Sequence, residues 1–195
     1  MRVAFLPFVR RFTVAASLFL LPLAAAEAAT ALTPASAASA VAPGRFVWRA
    51  DAAASAAGPV RVLVSLPLQI AFVFKGGDLI GVSSVSSGAA GYDTPTGTFT
   101  ILQKDKAHKS NIYDDAPMPY MLRLTWDGVA LHAGKVTGEP ASHGCVRLPL
   151  AFARKLYDLA ELGATVSVVD EVPDFVQQAP EPIAETAETA ETAAR

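Results

Sequence analysis

Val60-Arg61-Val62-Leu63-Val64-Ser65-Leu66, running on through Leu68-Gln69-Ile70-Ala71-Phe72-Val73-Phe74 to Leu79–Val85, is the stretch on which the fold turns. Val60, Val62, Val64 and Leu66 alternate with Arg61, Leu63 and Ser65. An apolar period of two belongs to a strand with one buried face. Leu68, Ile70, Phe72 and Phe74 repeat that period, and Gly76-Gly77-Asp78 supplies turn chemistry before Leu79–Val85. These two segments therefore read as a hairpin.

The pattern continues outward. Thr94-Pro95-Thr96-Gly97 reads as a turn, and Thr98–Leu102 as a further β-prone run. Leu122-Arg123-Leu124-Thr125-Trp126 passes through Asp127-Gly128 into Val129-Ala130-Leu131, a second hairpin signal. One helix is expected from about Pro149, with Leu150, Ala153, Leu156, Tyr157 and Ala160 on one face and Gly163 as its stop. Thr165–Val169 returns as a strand. Short strands with a single helix predict a mainly β domain.

Both ends read differently. Arg2, Arg10 and Arg11 precede a short apolar core, Phe12–Leu23, and small residues of A-x-A type follow. That is the layout of a secretory signal peptide, placed at 1–28. Residues 29–45 are rich in Ala, Ser and Pro and read as a flexible linker. Residues 174–195 repeat Ala-Glu-Thr and read as an acidic, disordered tail. The folded body is then 46–173. No second apolar stretch approaches spanning length, so no transmembrane segment is expected in the mature chain. The chain has 195 residues and a net charge of −2. That length suits one domain, and that charge argues against a nucleic-acid binder, which concentrates basic residues.

Export makes the cysteine count informative. The chain has one cysteine, Cys145, which cannot form an internal disulfide in an oxidising compartment. It is a buried spectator, an intermolecular link or a reactive thiol. Its surroundings favour the last. Leu131-His132-Ala133-Gly134 and Ser142-His143-Gly144-Cys145-Val146-Arg147-Leu148-Pro149 bring two of the three histidines into one window with it. An imidazole within reach of a thiol takes its proton and later returns it to a leaving amine. His132 lies at a strand end and Cys145 just before the expected helix, whose N-terminal N–H groups would favour a thiolate. Gly144 lets backbone N–H groups converge on an oxyanion. His143, two positions before the sulfur, falls on the same side if the chain is extended, as an auxiliary to His132. Arg147 suits a substrate carboxylate or a structural ion pair about equally. Zinc held by His132, His143 and Cys145 is the chemical rival, but the ligand inventory is thin because His108 lies in a polar run that reads as solvated.

Ser142-His143-Gly144-Cys145-Val146-Arg147, with a histidine upstream at a strand end, resembles the catalytic signature of the L,D-transpeptidases, or YkuD domains. The likeness extends over Ser86-Ser87-Gly88, Thr94-Pro95-Thr96-Gly97-Thr98-Phe99 and Ala116-Pro117-Met118-Pro119-Tyr120-Met121, and so spans about 60–170. It implies a YkuD-like β-sandwich catalytic domain at 46–173, with one helix after the catalytic cysteine. It further implies Cys145 as nucleophile, His132 as base and His143 beside them. Gly144, Ser142, Arg147 and Tyr120 belong to the substrate and oxyanion set, and no metal or cofactor is needed. A backbone carbonyl just after His132 orients the imidazole. The family usually has Gly directly after that histidine, whereas this chain has Ala133-Gly134, which leaves open which carbonyl it is. The implied partner is the peptidoglycan stem peptide, met by a monomer in the periplasm. The implied reaction forms a thioester, releases D-alanine and passes the acyl group to an amine in a 3→3 cross-link. Water or a lipoprotein amine as acceptor, and a wall-binding module without turnover, remain alternatives.

Overall fold

The run from Val60 to Ser84 folds as three antiparallel strands, β2 (Val60–Ser65), β3 (Ile70–Lys75) and β4 (Asp78–Ser84), paired β2–β3 and β3–β4. In the computed structural model, residues 34–39 and 41–177 are described. The signal-peptide expectation at 1–28, and the tail from 178 onward, lie outside the described residues. Three further strands complete the first sheet: β1 (Phe46–Trp48), β5 (Gly97–Thr100) and β10 (Thr165–Val169). The order is β1-β4-β3-β2-β10-β5, with β10 parallel to β2 and antiparallel to β5. The second sheet runs β6 (Gln103–Lys109), β7 (Pro117–Arg123), β8 (Ala130–Ala133) and β9 (Val146–Leu148) in that order. The fold is mainly β, in two sheets, with helix α3 (Leu150–Leu159) after Cys145 as expected.

The main core joins both sheets. Val62 and Val64 of β2, Ala71 and Val73 of β3, Leu131 of β8, Val146 and Leu148 of β9 and Phe152 of α3 are all buried in it. Each fully buried aliphatic side chain of this kind is worth about 1.5–3 kcal/mol relative to exposure. The α3 face differs from the expected one. Phe152, Ala153 and Leu156 are buried, whereas Leu150 is exposed at the helix start. Phe152 packs edge-on against Trp48 and tilted against Phe46, each with ring centroids 5.5 Å apart. Lys104 Nζ donates to the carbonyl of Ala160 at the C-cap, satisfying a group the helix leaves open.

The larger apolar residues of β3 face away from this core. Ile70, Phe72 and Leu79 form a second cluster, on which α4 (Asp174–Gln177) lays Phe175 at 5.2 Å from Phe72. Helix α1 (Pro34–Ser39) adds Ala38 to the same cluster. The stretch read as linker, and the start of the stretch read as tail, thus hold short helices that cover an apolar sheet face. A third short helix, α2 (Ala50–Ser55), follows β1. Small residues carry too little periodicity to announce such helices. Among the described residues, no helix is long and apolar enough to cross a membrane.

Candidate active site

The second sheet presents the site by simple parity. In the parallel β8–β9 pair, Leu131 lies opposite Val146, His132 opposite Arg147 and Ala133 opposite Leu148. Leu131, Val146, Ala133 and Leu148 are buried in the core. Neighbouring side chains on a strand alternate faces, but His132 and Arg147 share a register position and so turn together to the other face. Continued by one residue, the register puts Cys145 opposite Ala130, and Ala130 is paired with Arg123 of β7. His132 and Cys145 are therefore diagonal neighbours on adjacent strands, a separation that long side chains span. Both line one pocket of about 650 Å³, together with Arg147, Arg123, His108 and Ser142.

His132 is buried, and its Nδ1 lies 2.9 Å from the carbonyl oxygen of Ala133. The residue where the family's glycine is usual thus supplies the orienting carbonyl. Cys145 is half-buried on Met118, Met121 and Ala130, and its Sγ donates to the Gly128 carbonyl at 3.3 Å. Burial pushes the thiol pKa up, against a backbone hydrogen bond at Ala130 and the charges of Arg147 and Arg123, which lower it. Burial likewise pushes His132 down, opposed by its bond to Ala133 and assisted by Arg147 and His108. Each shift favours the neutral form of its group. The expected helix-stabilised thiolate is not what the fold builds. Strand β9 separates Cys145 from α3, because Val146–Leu148 pair with β8 instead of entering the helix.

The loop before the cysteine is braced rather than extended. Gly144 has φ +105°, a left-handed conformation natural to glycine. Its N–H donates to Ser142 Oγ at 3.1 Å, its carbonyl accepts from Thr94 Oγ1 at 2.9 Å, and Ser142 Oγ donates in turn to the Cys145 carbonyl. Ser142 is buried, so it lines the pocket mainly as this clamp. The bend removes the extended-chain premise for His143, yet that residue still lines the same pocket as Cys145. That ring is exposed at the rim, between Tyr92 at 4.5 Å and Tyr113 at 4.7 Å.

Two further expectations change. Tyr120 does not line the pocket. It faces the other side of β7, packed on the main core with its ring 5.7 Å from that of Tyr157. His108 is not solvated. It lines the pocket, with Nδ1 3.4 Å from Asp105 Oδ2 and Nε2 3.3 Å from Arg123 Nη2. Arg147 forms no ion pair among the described residues, so its structural reading loses its partner. Residues that sequence reasoning passed over include Thr94, whose hydroxyl takes the Gly88 N–H while bonding Gly144, and Arg123. The alternation of Met121 and Arg123 with Leu122 and Leu124 was the available signal for Arg123. Among the described residues, no group of three or more His, Cys, Asp or Glu side chains is arranged to hold a metal ion.

A two-sheet β fold carrying a backbone-oriented histidine on β8 and a cysteine immediately before the parallel strand β9 defines a site able to carry acyl transfer. The L,D-transpeptidase catalytic domain (YkuD) model matches residues 59–168, and the chain belongs to that family. Among solved structures, an L,D-transpeptidase from Stackebrandtia nassauensis is 32% identical with a TM-score of 0.54, the match covering 59% of this chain and 57% of that one. An L,D-transpeptidase from Mycobacterium tuberculosis H37Rv is 24% identical with a TM-score of 0.54, covering 57% of each chain. One from Xylanimonas cellulosilytica is 23% identical with a TM-score of 0.53, covering 59% of this chain and 62% of that one. The last two likenesses bear on the fold alone. The chain thus spans little more than half the length of these relatives. Comparison with the curated proteins found no match.

Proposed function

We propose that the protein is a cysteine-dependent L,D-transpeptidase of the cell wall, with Cys145 as nucleophile and His132 as general base in a catalytic domain at about 46–173. The carrying observation is the bond from His132 Nδ1 to the Ala133 carbonyl. A carbonyl only accepts, so Nδ1 bears the hydrogen and Nε2 keeps its lone pair for the thiol proton. As Nε2 takes that proton, Sγ attacks the carbonyl after the third residue of a stem tetrapeptide. The protonated imidazole then delivers the proton to the departing amine of D-alanine, leaving a thioester on Cys145. An acceptor amine attacks the thioester, passes a proton to Nε2 and expels the sulfur, which regains its proton from His132. The Gly144 N–H is engaged by Ser142, so the backbone N–H of Cys145 is assigned to the oxyanion. Arg147, without an acidic partner among the described residues, is assigned to a substrate carboxylate. His143 shapes the rim. The signal-like N-terminus supports action outside the inner membrane, where peptidoglycan lies.

Incubating the mature protein with a tetrapeptide-bearing muropeptide, with products read by mass spectrometry, tests this. A cross-linked dimer supports transpeptidation. Tripeptide with free D-alanine makes water the acceptor, and a tripeptide-linked lipoprotein makes that protein the acceptor. No product from the intact protein would reduce it to a wall-binding module. Cys145→Ala should give no product.

A further inference from the structure

We infer that Arg123 is a second anion-recognition point of the pocket, so that the acyl donor is a peptide bearing two carboxylates, one met by Arg147 and one by Arg123. The inference rests on the acyl-transfer reading above and adds the charge of its substrate. Arg123 of β7, Ala130 of β8 and Cys145, the residue just before β9, all line the pocket and follow one another across the sheet when the β8–β9 register is continued by one residue. The residue at the register position between Arg123 and Cys145 is an alanine. Arg147 lies two positions after the cysteine, on β9, and lines the same pocket. Both cations act on the thiol, and both lower its pKa.

The guanidinium of Arg123 is held but not neutralised. Its Nε donates to Gln103 Oε1 at 2.8 Å, and its Nη2 lies 3.3 Å from His108 Nε2. Arginine only donates, so Nε2 of His108 accepts, and that ring turns its Nδ1–H toward Asp105. The nearest carboxylate of this network is thus engaged by His108. Trp126 covers one face of the guanidinium at 5.7 Å. Among the described residues, no carboxylate pairs with Arg123 or with Arg147. Arg49 and Arg61 also lack a carboxylate partner among the described residues, but they donate to the carbonyls of Leu79 and Gly76 and do not line the pocket. At Arg123, by contrast, Gln103, His108 and an aromatic face fix a guanidinium that has no carboxylate partner among the described residues, inside a pocket, the arrangement that recruits an anionic group at low reorganisation cost.

The test needs no peptide in its first arm. Cys145 is the chain's only cysteine, so its alkylation by iodoacetate and by iodoacetamide compares an anion with a neutral analogue at one atom. Arg123→Gln should lower the iodoacetate-to-iodoacetamide rate ratio about fivefold, as expected for losing one unit charge at contact-to-near range. Arg154→Gln, on the exposed face of α3, should leave the ratio unchanged. Equal slowing of both reagents by Arg123→Gln would overturn the inference. In the second arm, kcat/KM is measured for tetrapeptides with free or amidated carboxylates. Arg123→Lys keeps the charge but loses the bidentate fork, so it should reduce the preference for one of the free acids. An unchanged preference would also overturn it. An Arg123-dependent alkylation ratio in a protein that turns over no peptide would preserve the anion site and sink the acyl-transfer reading instead.

Discussion

The Nδ1–H of His132 donates to the carbonyl of its own neighbour Ala133 at 2.9 Å. This contact fixes the ring in place and, with it, the tautomer. The expected solution state is therefore Nδ1–H with an unprotonated Nε2, readable in the nitrogen chemical shifts of the His132 side chain. His132→Ala should lower kcat/KM about 10²–10⁴-fold, the usual worth of a general base. Activity within a few-fold of the parent would remove His132 from the mechanism.

Shifts of both groups toward their neutral forms make a distinct pH forecast. His132 is shifted below its ordinary value by burial, and Cys145 above its own by burial. The acid limb of kcat/KM should then fall below the ordinary imidazole value of about 6.5. Alkylation of Cys145 by iodoacetamide should keep rising through neutral pH toward the raised thiol value. A thiolate–imidazolium pair would instead alkylate at a flat, maximal rate from about pH 5 upward. The linkage to stability has the same origin. His132 contributes stability that is fully present above its unfolded pKa and is lost as pH falls through its depressed folded one. His132→Phe should accordingly flatten the acid side of a Tm-against-pH curve.

Alternation made the inner part of the first sheet legible in the sequence, since Val60–Leu66 and the Gly76-Gly77-Asp78 turn lie within one short stretch. The partnership of β2 with β10 was not, because parallel pairing across a hundred residues leaves no local mark. Strand β6 was hidden by its composition. Gln103–Lys109 is almost entirely polar, with only partial burial, and it reads as loop unless its pairing with β7 is known. The sharp turn expected at Thr94–Gly97 falls earlier, where the Tyr92 N–H returns to the Ala89 carbonyl at 2.8 Å. The cysteine and the two histidines around it were legible as scarce residues crowded together. Tyr120 was misplaced because a motif says that a residue is present, and only strand parity says which way it faces. Arg123 was missed for the same reason.

Ser142 joins the two halves of the cysteine loop, taking the Gly144 N–H and donating to the Cys145 carbonyl. Ser142→Ala leaves a buried donor without its acceptor, at a cost of about 1–3 kcal/mol. A calorimetric melt should show the lowered Tm. The released loop also lets the sulfur drift, and a misplacement of about 1 Å can cost about 10²-fold in rate. The loss should fall on kcat more than on KM, since Ser142 Oγ is already committed to the loop. A loss confined to KM would instead give Ser142 a direct hold on substrate.

Gly88 is the tightest point of the framework behind the site. Its N–H donates to Thr94 Oγ1 at 2.8 Å, and Thr94 in turn holds the Gly144 carbonyl. A β-carbon at this position would lie 1.9 Å from the Tyr92 carbonyl oxygen and 2.7 Å from the Thr94 N–H nitrogen. Both obstacles are backbone, so no side-chain rotation relieves them. Gly88→Ala must push the 89–94 segment outward, and overpacking of this kind costs about 1–3 kcal/mol or more. The displacement carries Thr94 away from Gly144 and so reaches the cysteine loop without touching it. The variant should melt several degrees lower and lose most of its Cys145-dependent turnover. Thr94→Val, which removes the hydroxyl bridge and leaves the Gly88 backbone free of overlap, should reproduce the activity loss with a smaller drop in Tm. Equal turnover in the parent and in both variants would mean that the Gly88–Thr94–Gly144 chain does not position the nucleophile.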